Sequence, residues 1–186
     1  MTRLLAVFSL FLALAFSLPA VQGSDAPVTK PESAQVYFSP KGGCTEAVVE
    51  AVGKARVSVL VQAYSFTSAP IARALLDAHK RGVKVEVLLD KSQRTEKYSA
   101  ADTLANSGIP TKIDDRHAIA HNKVIVIDGE TVISGSFNFT KAAEESNAEN
   151  LLVIRDRAMA ARYAENWKEH AAHSVPYAGR LKDAGP

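Results

Sequence analysis

The alternation of apolar and polar runs over residues 35–172 predicts strands separated by helices. Near-continuous apolar runs at residues 56–66 and 83–90 predict buried strands. Between them, APIARALLDAHKR predicts a helix with Ser68 as its cap, Pro70 in its first turn and Gly82 just past its end. This order indicates a single α/β domain whose mixed, largely parallel β-sheet is flanked by helices on both faces.

Shorter runs extend the same domain in both directions. We expect further strands at residues 35–40, 109–115 and 150–156, and helices at 42–55, within 92–108 and at 157–173, the last burying Trp167. The polar, proline-bearing residues 24–34 predict a flexible N-terminal segment, and residues 173–186 a loose C-terminal tail. The predicted folded domain therefore covers residues 35–172.

Residues 1–23 have the features of a secretory signal peptide. Arg3 precedes the apolar run LLAVFSLFLALAFSL, and small residues follow it at a suitable cleavage point. The run is short for a membrane span, so we expect its removal, a periplasmic or secreted location, and no stable membrane anchor afterwards. The mature chain has 21 basic and 20 acidic residues, a net charge of +1. Bulk charge therefore indicates no partner.

Residues 120–138, AHNKVIVIDGETVISGSFN, predict a β-hairpin that carries several polar side chains. An Asp-Gly pair is typical of two-residue hairpin turns, so we expect Asp128 and Gly129 to form one. In that register Ile127 faces Glu130, Lys123 faces Ser134 and His121 faces Ser136. Strand alternation then places four polar groups on one face: His121, Lys123, Ser136 and Asn138. Asp128 has the opposite parity, which favours a structural role.

These side chains suit a phosphodiester substrate. A lysine supplies positive charge, serine and asparagine donate to phosphate oxygens, and a neutral histidine attacks phosphorus or exchanges a proton near neutral pH. Gly135 beside them permits a ligand or a second backbone to approach closely. The alternative is a solvated hairpin face with no function.

The same residues resemble the signature of the phospholipase D superfamily, which is His-x-Lys, four residues, Asp, and then Gly-Ser-x-Asn. His121, Lys123, Asp128, Gly135, Ser136 and Asn138 match it in spacing. Over residues 35–170 the chain is most similar to small bacterial endonucleases that carry one copy of this motif. The resemblance therefore implies a phosphodiesterase that needs no metal or cofactor.

Because superfamily members combine two motifs in one active site, a chain with a single motif is expected to form a homodimer with the site on its two-fold axis. The resemblance implies that His121 forms a covalent phosphohistidine while the second His121 protonates the leaving group. It also implies that Lys123, Ser136 and Asn138 bind phosphate, and that Glu149 orients the histidine.

Three hypotheses share these residues. The first is a sequence-nonspecific endonuclease acting on DNA or RNA, the second a phospholipase D acting on phospholipids, and the third an inactive nucleic-acid-binding domain. A basic cluster, Lys80, Arg81 and Lys84, either follows a nucleic-acid backbone or complements a helix dipole.

Other polar residues favour simpler interpretations. His117 and His121 would be about 13 Å apart on a strand, too far for one metal ion, and no metal site is expected. His79, His170 and His173 are expected at the surface, Asp90 and Asp115 as caps or turns, and Phe66, Phe137 and Phe139 in the core.

Overall fold

The computed structural model describes residues 30–180, which form one eight-stranded sheet with helices on both faces. The predicted signal peptide lies outside the described residues. The strands are β1 (Ser33–Ser39), β2 (Ser58–Ala63), β3 (Lys84–Asp90), β4 (Thr111–Asp114), β5 (Lys123–Ile127), β6 (Thr131–Gly135), β7 (Glu149–Arg155) and β8 (Val175–Pro176). The helices are α1 (Cys44–Gly53), α2 (Ala69–Lys80), α3 (Ala101–Asn106), α4 (Lys141–Glu145) and α5 (Arg157–His173).

The sheet order is β1-β7-β6-β5-β2-β3-β4-β8. Only the pairs β2–β3 and β3–β4 are parallel among the described strands, and the other five pairs are antiparallel. The mixed α/β sheet is thus confirmed, whereas the expected parallel majority is wrong. For β5 and β6 the physical reason is the three-residue connection between them, which antiparallel strands allow and parallel strands do not.

Alternate residues of the central strands face two separate layers of helices. Val59 and Val61 of β2 belong to the larger core beneath α1 and α2, whereas Leu60 packs on the other face, against Trp167 of α5. The expected burial of Trp167 and of the three phenylalanines is confirmed. Because both faces are covered, β2 and β5 read as continuous apolar runs.

The helices begin and end at the residues that favour such boundaries. Ser68 is the N-cap residue of α2 and Pro70 lies in its first turn. The Asp156 carboxylate accepts the Met159 N–H at 2.8 Å and caps α5. None of the helices within residues 30–180 is long and apolar enough to cross a membrane.

Both ends of the predicted domain differ from expectation. β1 begins at Ser33, inside the segment expected to be flexible. Beyond α5, β8 pairs with β4, and the buried Tyr177 donates its hydroxyl to Asp102 at 2.8 Å. The tail expected to be loose from residue 173 therefore packs against the domain as far as Arg180, whose side chain also contacts Asp102.

Candidate active site

One end of the sheet gathers the polar residues of the hairpin. The strands β1, β2, β3, β4 and β6 end there, and β5 and β7 begin there, as the pairs Ala63 with Lys123 and Ser39 with Glu149 show. We call this the site end of the sheet, and it is formed by Ser39, Ala63, Asp90, Asp114, Lys123, Gly135 and Glu149. Loops that follow or precede these strands carry the remaining candidates.

The hairpin itself has a register one residue away from the predicted one. Asp128 and Gly129 both have positive φ, and the Glu130 N–H donates to the Ile127 carbonyl at 3.0 Å, as in the expected tight turn. The ladder nevertheless pairs Ile127 with Thr131, so Glu130 is an extra residue. The predicted pairs of Lys123 with Ser134 and of His121 with Ser136 are therefore wrong.

His121 lies in the loop that leads into β5, not on the strand. Its ring packs against the ring of Tyr64 with centroids 4.6 Å apart, and the side chain is exposed. Two main-chain contacts hold the loop: the Ala120 N–H donates to Asp90 Oδ2 at 2.7 Å, and the Tyr64 N–H donates to the Asn122 carbonyl at 2.9 Å. An exposed imidazole on a fixed loop is available to a substrate.

Lys123 is buried directly behind His121. Its Nζ donates to the His121 carbonyl at 2.7 Å and lies 5.0 Å from the centre of the Tyr64 ring, a cation–π distance. Burial lowers the pKa of Lys123, while the nearby negative charge of Glu149 acts in the opposite direction. Tyr64 was missed by the sequence analysis, although its position directly after β2 indicates that it reaches the site end.

Ser136 follows β6 at a sharp change of direction. Gly135 has a φ of 150°, and a Cβ there would lie 2.3 Å from the Asn150 carbonyl oxygen. The close approach lets the N–H groups of Ser136 and Phe137 both donate to that oxygen, while Ser136 Oγ accepts the Asn150 N–H at 3.1 Å. The Ser136 hydroxyl thus keeps its proton available for a phosphate oxygen.

Asn138 lies between two buried phenylalanines, Phe137 and Phe139. Its carbonyl accepts the Thr140 N–H at 2.7 Å, and its side-chain Oδ1 is buried without a hydrogen-bond partner in the described chain. A half-turn of the amide about χ2 brings its NH₂ group to that position. Asn138 therefore has one buried side-chain polar atom that no other group within residues 30–180 satisfies.

The role expected for Glu149, orienting the histidine, stays a prediction. Its Oε1 accepts Asn147 Nδ2 at 3.1 Å, and no hydrogen bond joins it to the His121 ring within residues 30–180. Its negative charge acts to raise the pKa of Lys123, against the larger effect of burial.

Asp128 lies at the opposite end of the sheet from Lys123. Its carboxylate accepts the N–H groups of Arg56, Val57 and Ser58 at 2.8–2.9 Å, which fastens the hairpin turn to the start of β2. Burial alone would raise the pKa of Asp128, but these hydrogen bonds outweigh it and hold the pKa below its ordinary value.

Asp90 acts both as the expected cap and as a support for the loop of His121. Its Oδ1 does accept the Ser92 N–H at 2.9 Å, but its Oδ2 also holds the loop of His121. The basic cluster of Lys80, Arg81 and Lys84 lies around the start of β3, at the end of the sheet away from the site. Arg81 there donates to the carbonyls of Val52 and Gly53.

Two histidines expected at the surface, His170 and His173, belong to the one group of the described chain that could hold a metal ion. The group consists of Asp114, His117, His170 and His173. The ring nitrogens of the last two lie 2.6 and 3.3 Å from the buried Asp114 carboxylate. The expectation of a surface location for them is therefore wrong. His117 lies in a loop and not on a strand, so the spacing argument against a metal does not apply to it.

An exposed histidine, a buried lysine behind it, and serine and asparagine residues lie at the same end of the sheet, and side chains of these types suit a tetrahedral anion. The lysine ammonium offsets phosphate charge, and the imidazole supplies a nucleophile or a proton. A sheet and a site of this kind define a phosphodiesterase.

Comparisons with known proteins agree with this class. The chain matches the family described as cardiolipin synthase, PLD-like domain, over residues 48–171. It is 41% identical over 160 residues to a phospholipase D of Rickettsia felis, with 86% of this chain and 80% of that protein covered. It is 31% identical over 128 residues to the mitochondrial cardiolipin hydrolase of Xenopus tropicalis, with 67% and 61% covered.

Among solved structures, the chain is similar to Nuc from Salmonella typhimurium, a phospholipase D family member. The two are 42% identical with a TM-score of 0.76, and the match covers 78% of this chain and 97% of Nuc. The chain belongs to the phospholipase D superfamily. It is a phosphodiesterase of that superfamily, an enzyme that hydrolyses phosphodiester bonds.

Proposed function

We propose that this chain is an exported, sequence-nonspecific endonuclease that hydrolyses DNA, with RNA as an alternative polymer, through a phosphohistidine at His121. The observation that carries the proposal is the exposed His121 ring held in front of the buried Lys123 at the site end of the sheet. The chemistry needs no catalytic metal, because protein side chains supply the nucleophile, the proton and the positive charge.

The reaction proceeds in two balanced steps. A ring nitrogen of His121 attacks phosphorus, the bond from phosphorus to the leaving oxygen breaks, and His121 of the partner subunit gives that oxygen a proton. The partner histidine then takes a proton from water, whose oxygen attacks phosphorus and releases His121. Lys123, Ser136 and Asn138 bind the non-bridging oxygens, on which negative charge increases in each transition state.

Basic side chains near the site favour nucleic acid as the substrate. Lys91, Lys97 and Arg116 are exposed and lie in the two loops that follow β3 and β4 at the site end. A polyanion that crosses His121 would meet these charges at successive phosphates, whereas a single phospholipid headgroup would not. The similarity to Nuc over almost the whole length of that chain supports the same choice.

A homodimer is part of the proposal. The active-site residues of the described chain include one His-x-Lys pair, whereas the two-step reaction uses two histidines. Large apolar side chains are exposed at the same end of the sheet, namely Phe38, Tyr98 and Ile119. Burying them against a second copy would bring two His121 loops together around a two-fold axis.

Phospholipid hydrolysis is the second candidate. The same exposed apolar residues would contact lipid if they did not contact a second subunit. The names of the relatives from Rickettsia felis and Xenopus tropicalis also point to lipid substrates. A retained but inactive fold is the weakest of the three hypotheses, because His121, Lys123, Ser136 and Asn138 are all present and none is withdrawn into an ion pair within the described chain.

The decisive experiment compares substrates with the chain from residue 24 onwards. We expect nicking of supercoiled plasmid in excess chelator, and no release of headgroup from vesicles of phosphatidylcholine or of cardiolipin. The variant His121→Ala should lose about four orders of magnitude in rate, because it removes both the nucleophile and the proton donor. His79→Ala, on α2, should cleave at the rate of the unchanged protein.

Each opposite result has a clear meaning. Vesicle hydrolysis without plasmid cleavage would overturn the nuclease proposal in favour of the lipid enzyme. Cleavage by His121→Ala would exclude the phosphohistidine. If no phosphohistidine can be trapped on DNA, on lipid or on a small chromogenic diester, the inactive-domain hypothesis gains.

A further inference from the structure

A cluster of one carboxylate and three imidazoles lies at the corner of the site end where β4, a loop and α5 meet. Asp114 is the last residue of β4, His117 lies in the following loop, and His170 and His173 are three residues apart near the end of α5. One ligand atom from each of the four residues lies within 4.8 Å of the others. Residues this far apart in sequence come together only in the folded chain.

The distances within the cluster match those between ligands of a small metal ion. From the Asp114 carboxylate, His170 Nδ1 lies at 2.6 Å, His117 Nδ1 at 3.1 Å and His173 Nε2 at 3.3 Å. In a tetrahedral zinc site with bonds of about 2.0–2.1 Å, neighbouring ligand atoms are separated by roughly 3.3 Å. Small side-chain shifts therefore suffice to receive an ion.

The cluster is largely buried. The Asp114 side chain is 2% exposed, and those of His170 and His173 are 15% and 19% exposed. No lysine or arginine side chain within residues 30–180 forms an ion pair with Asp114. His173 Nε2 is buried and, despite its position 3.3 Å from Asp114 Oδ1, does not reach hydrogen-bond geometry. A buried nitrogen without a hydrogen bond, directed at a buried carboxylate, is what a metal ion would satisfy.

We propose that Asp114, His117, His170 and His173 bind one Zn²⁺ ion as a structural site. Three imidazoles and one carboxylate favour zinc over Mg²⁺ or Ca²⁺, which prefer oxygen ligands only. Four protein ligands close the coordination sphere, which is typical of structural and not catalytic zinc. The ion would tie the loop that carries His121 to β4 and α5.

The ionised state of Asp114 agrees with this assignment. Burial acts to raise the pKa of Asp114, but the neighbouring imidazoles of His170, His117 and His173 outweigh it and leave the pKa well below its usual range.

The site is independent of the choice of substrate, so its test uses no activity measurement. An untagged chain from residue 24 onwards is purified, and bound metals are counted by mass spectrometry. We expect about one zinc per chain. After removal of the metal, added Zn²⁺ should raise the melting temperature by roughly 5–10 °C at ~100 times its dissociation constant. Substituted Co²⁺ should give the strong visible absorption of a tetrahedral site.

Two variants and one control locate the ion. The double variant His170→Ala, His173→Ala should retain no zinc. His117→Ala, whose side chain is 45% exposed and so contributes little to packing, should fold and bind zinc at least ~10-fold more weakly. His79→Ala should retain the full zinc content and the same rise in melting temperature.

The proposal is overturned if the unchanged protein takes up no zinc and its melting temperature does not respond to added Zn²⁺. It is equally overturned if His117→Ala and the double variant bind zinc as the unchanged protein does, because the ion would then lie elsewhere. In either case plasmid cleavage by the unchanged protein would leave the nuclease proposal intact.

Discussion

At the scale of single residues, Asp128 and His121 belong to one sequence motif but lie at opposite ends of β5. Both carboxylate oxygens of Asp128 are used by main-chain N–H groups of residues 56–58. A carboxylate that accepts three N–H groups at a hairpin turn stabilises the fold and does not reach the substrate.

The substitution Asp128→Asn tests this role. The amide keeps one acceptor and places an NH₂ group against one of the three N–H donors, so we expect a loss of about 1–3 kcal/mol in the free energy of unfolding. Urea denaturation measures the loss. Asp77→Asn, on the exposed face of α2, should change stability by less than about 0.5 kcal/mol. The folded fraction of Asp128→Asn should cleave DNA at the rate of the unchanged protein. Loss of cleavage in that fraction would show that Asp128 takes part in the reaction.

The same pair of proteins gives a pH dependence with a defined sign. Because the pKa of Asp128 is lowered in the folded chain, its stabilising effect is complete above the ordinary pKa of an aspartate. The effect is lost progressively as the pH falls to the lower folded pKa. The difference in stability between the unchanged protein and Asp128→Asn should therefore be largest near neutral pH and shrink on acidification.

At the scale of elements, the junction after β6 places the Ser136 hydroxyl. Gly135 allows β6 to approach β7 so closely that one carbonyl, that of Asn150, accepts two successive N–H groups. A side chain at position 135 would need both a backbone conformation that L-residues rarely adopt and space that Asn150 occupies.

We expect Gly135→Ala to lower the free energy of unfolding by about 1–3 kcal/mol and the cleavage rate by more than ~10-fold, because the Ser136 hydroxyl moves with the chain. Thermal melts and plasmid nicking measure the two effects. Gly53→Ala is the matched control: no atom lies within 4 Å of the added Cβ, and alanine favours the end of α1. An unchanged rate in Gly135→Ala would show that Ser136 does not need this geometry.

The observed elements show which parts of the secondary structure the pattern of apolar and polar residues predicts. The apolar runs of β2, β3 and β5 predict those strands within a few residues, since burial determines them. Pro70 in the first turn and Gly82 after the end predict the bounds of α2, since both residues favour such positions. The hairpin register could not be predicted, because Asp-Gly forms the same tight turn whether or not an extra residue follows it. The predicted helix within residues 92–108 is replaced by a 3-10 turn, Lys91–Arg94, and the short α3. Between them, Gln93 Oε1 accepts the Phe66 N–H and the Ser99 hydroxyl, and the Ala100 N–H donates to the Phe66 carbonyl instead of to a helical carbonyl.

At the scale of the whole molecule, the topology collects the candidate site at one end of the sheet. Residues as far apart in sequence as 64 and 149 lie at this end. They come from loops, strands and turns, and no short sequence motif contains them all. The polar groups of the hairpin could be found from the sequence because they follow one motif. Tyr64 and the three-histidine cluster could not, because their proximity depends on strand order and on the packing of α5.

The proposed dimer makes a quantitative prediction for mixed subunits. If each active site needs two copies of His121, equal amounts of unchanged and His121→Ala chains, allowed to exchange, should retain about one quarter of the activity, since about one quarter of the dimers are unchanged. Independent monomers would retain half. Sedimentation of the unchanged protein checks the assembly, and a fully active monomer would contradict it.

The separation of Asp128 from His121 by the length of β5 also bears on how such chains diverge. If a copy of this gene lost its enzymatic task, nothing would preserve the imidazole or the ammonium group. The Asp128 carboxylate would still be retained, since it holds the hairpin turn to the start of β2. A descendant that keeps aspartate at position 128 but has neither histidine at 121 nor lysine at 123 would thus be a folded protein without the catalytic activity. A descendant that keeps His121 and Lys123 but loses Asp128 would have the catalytic side chains on a less stable fold.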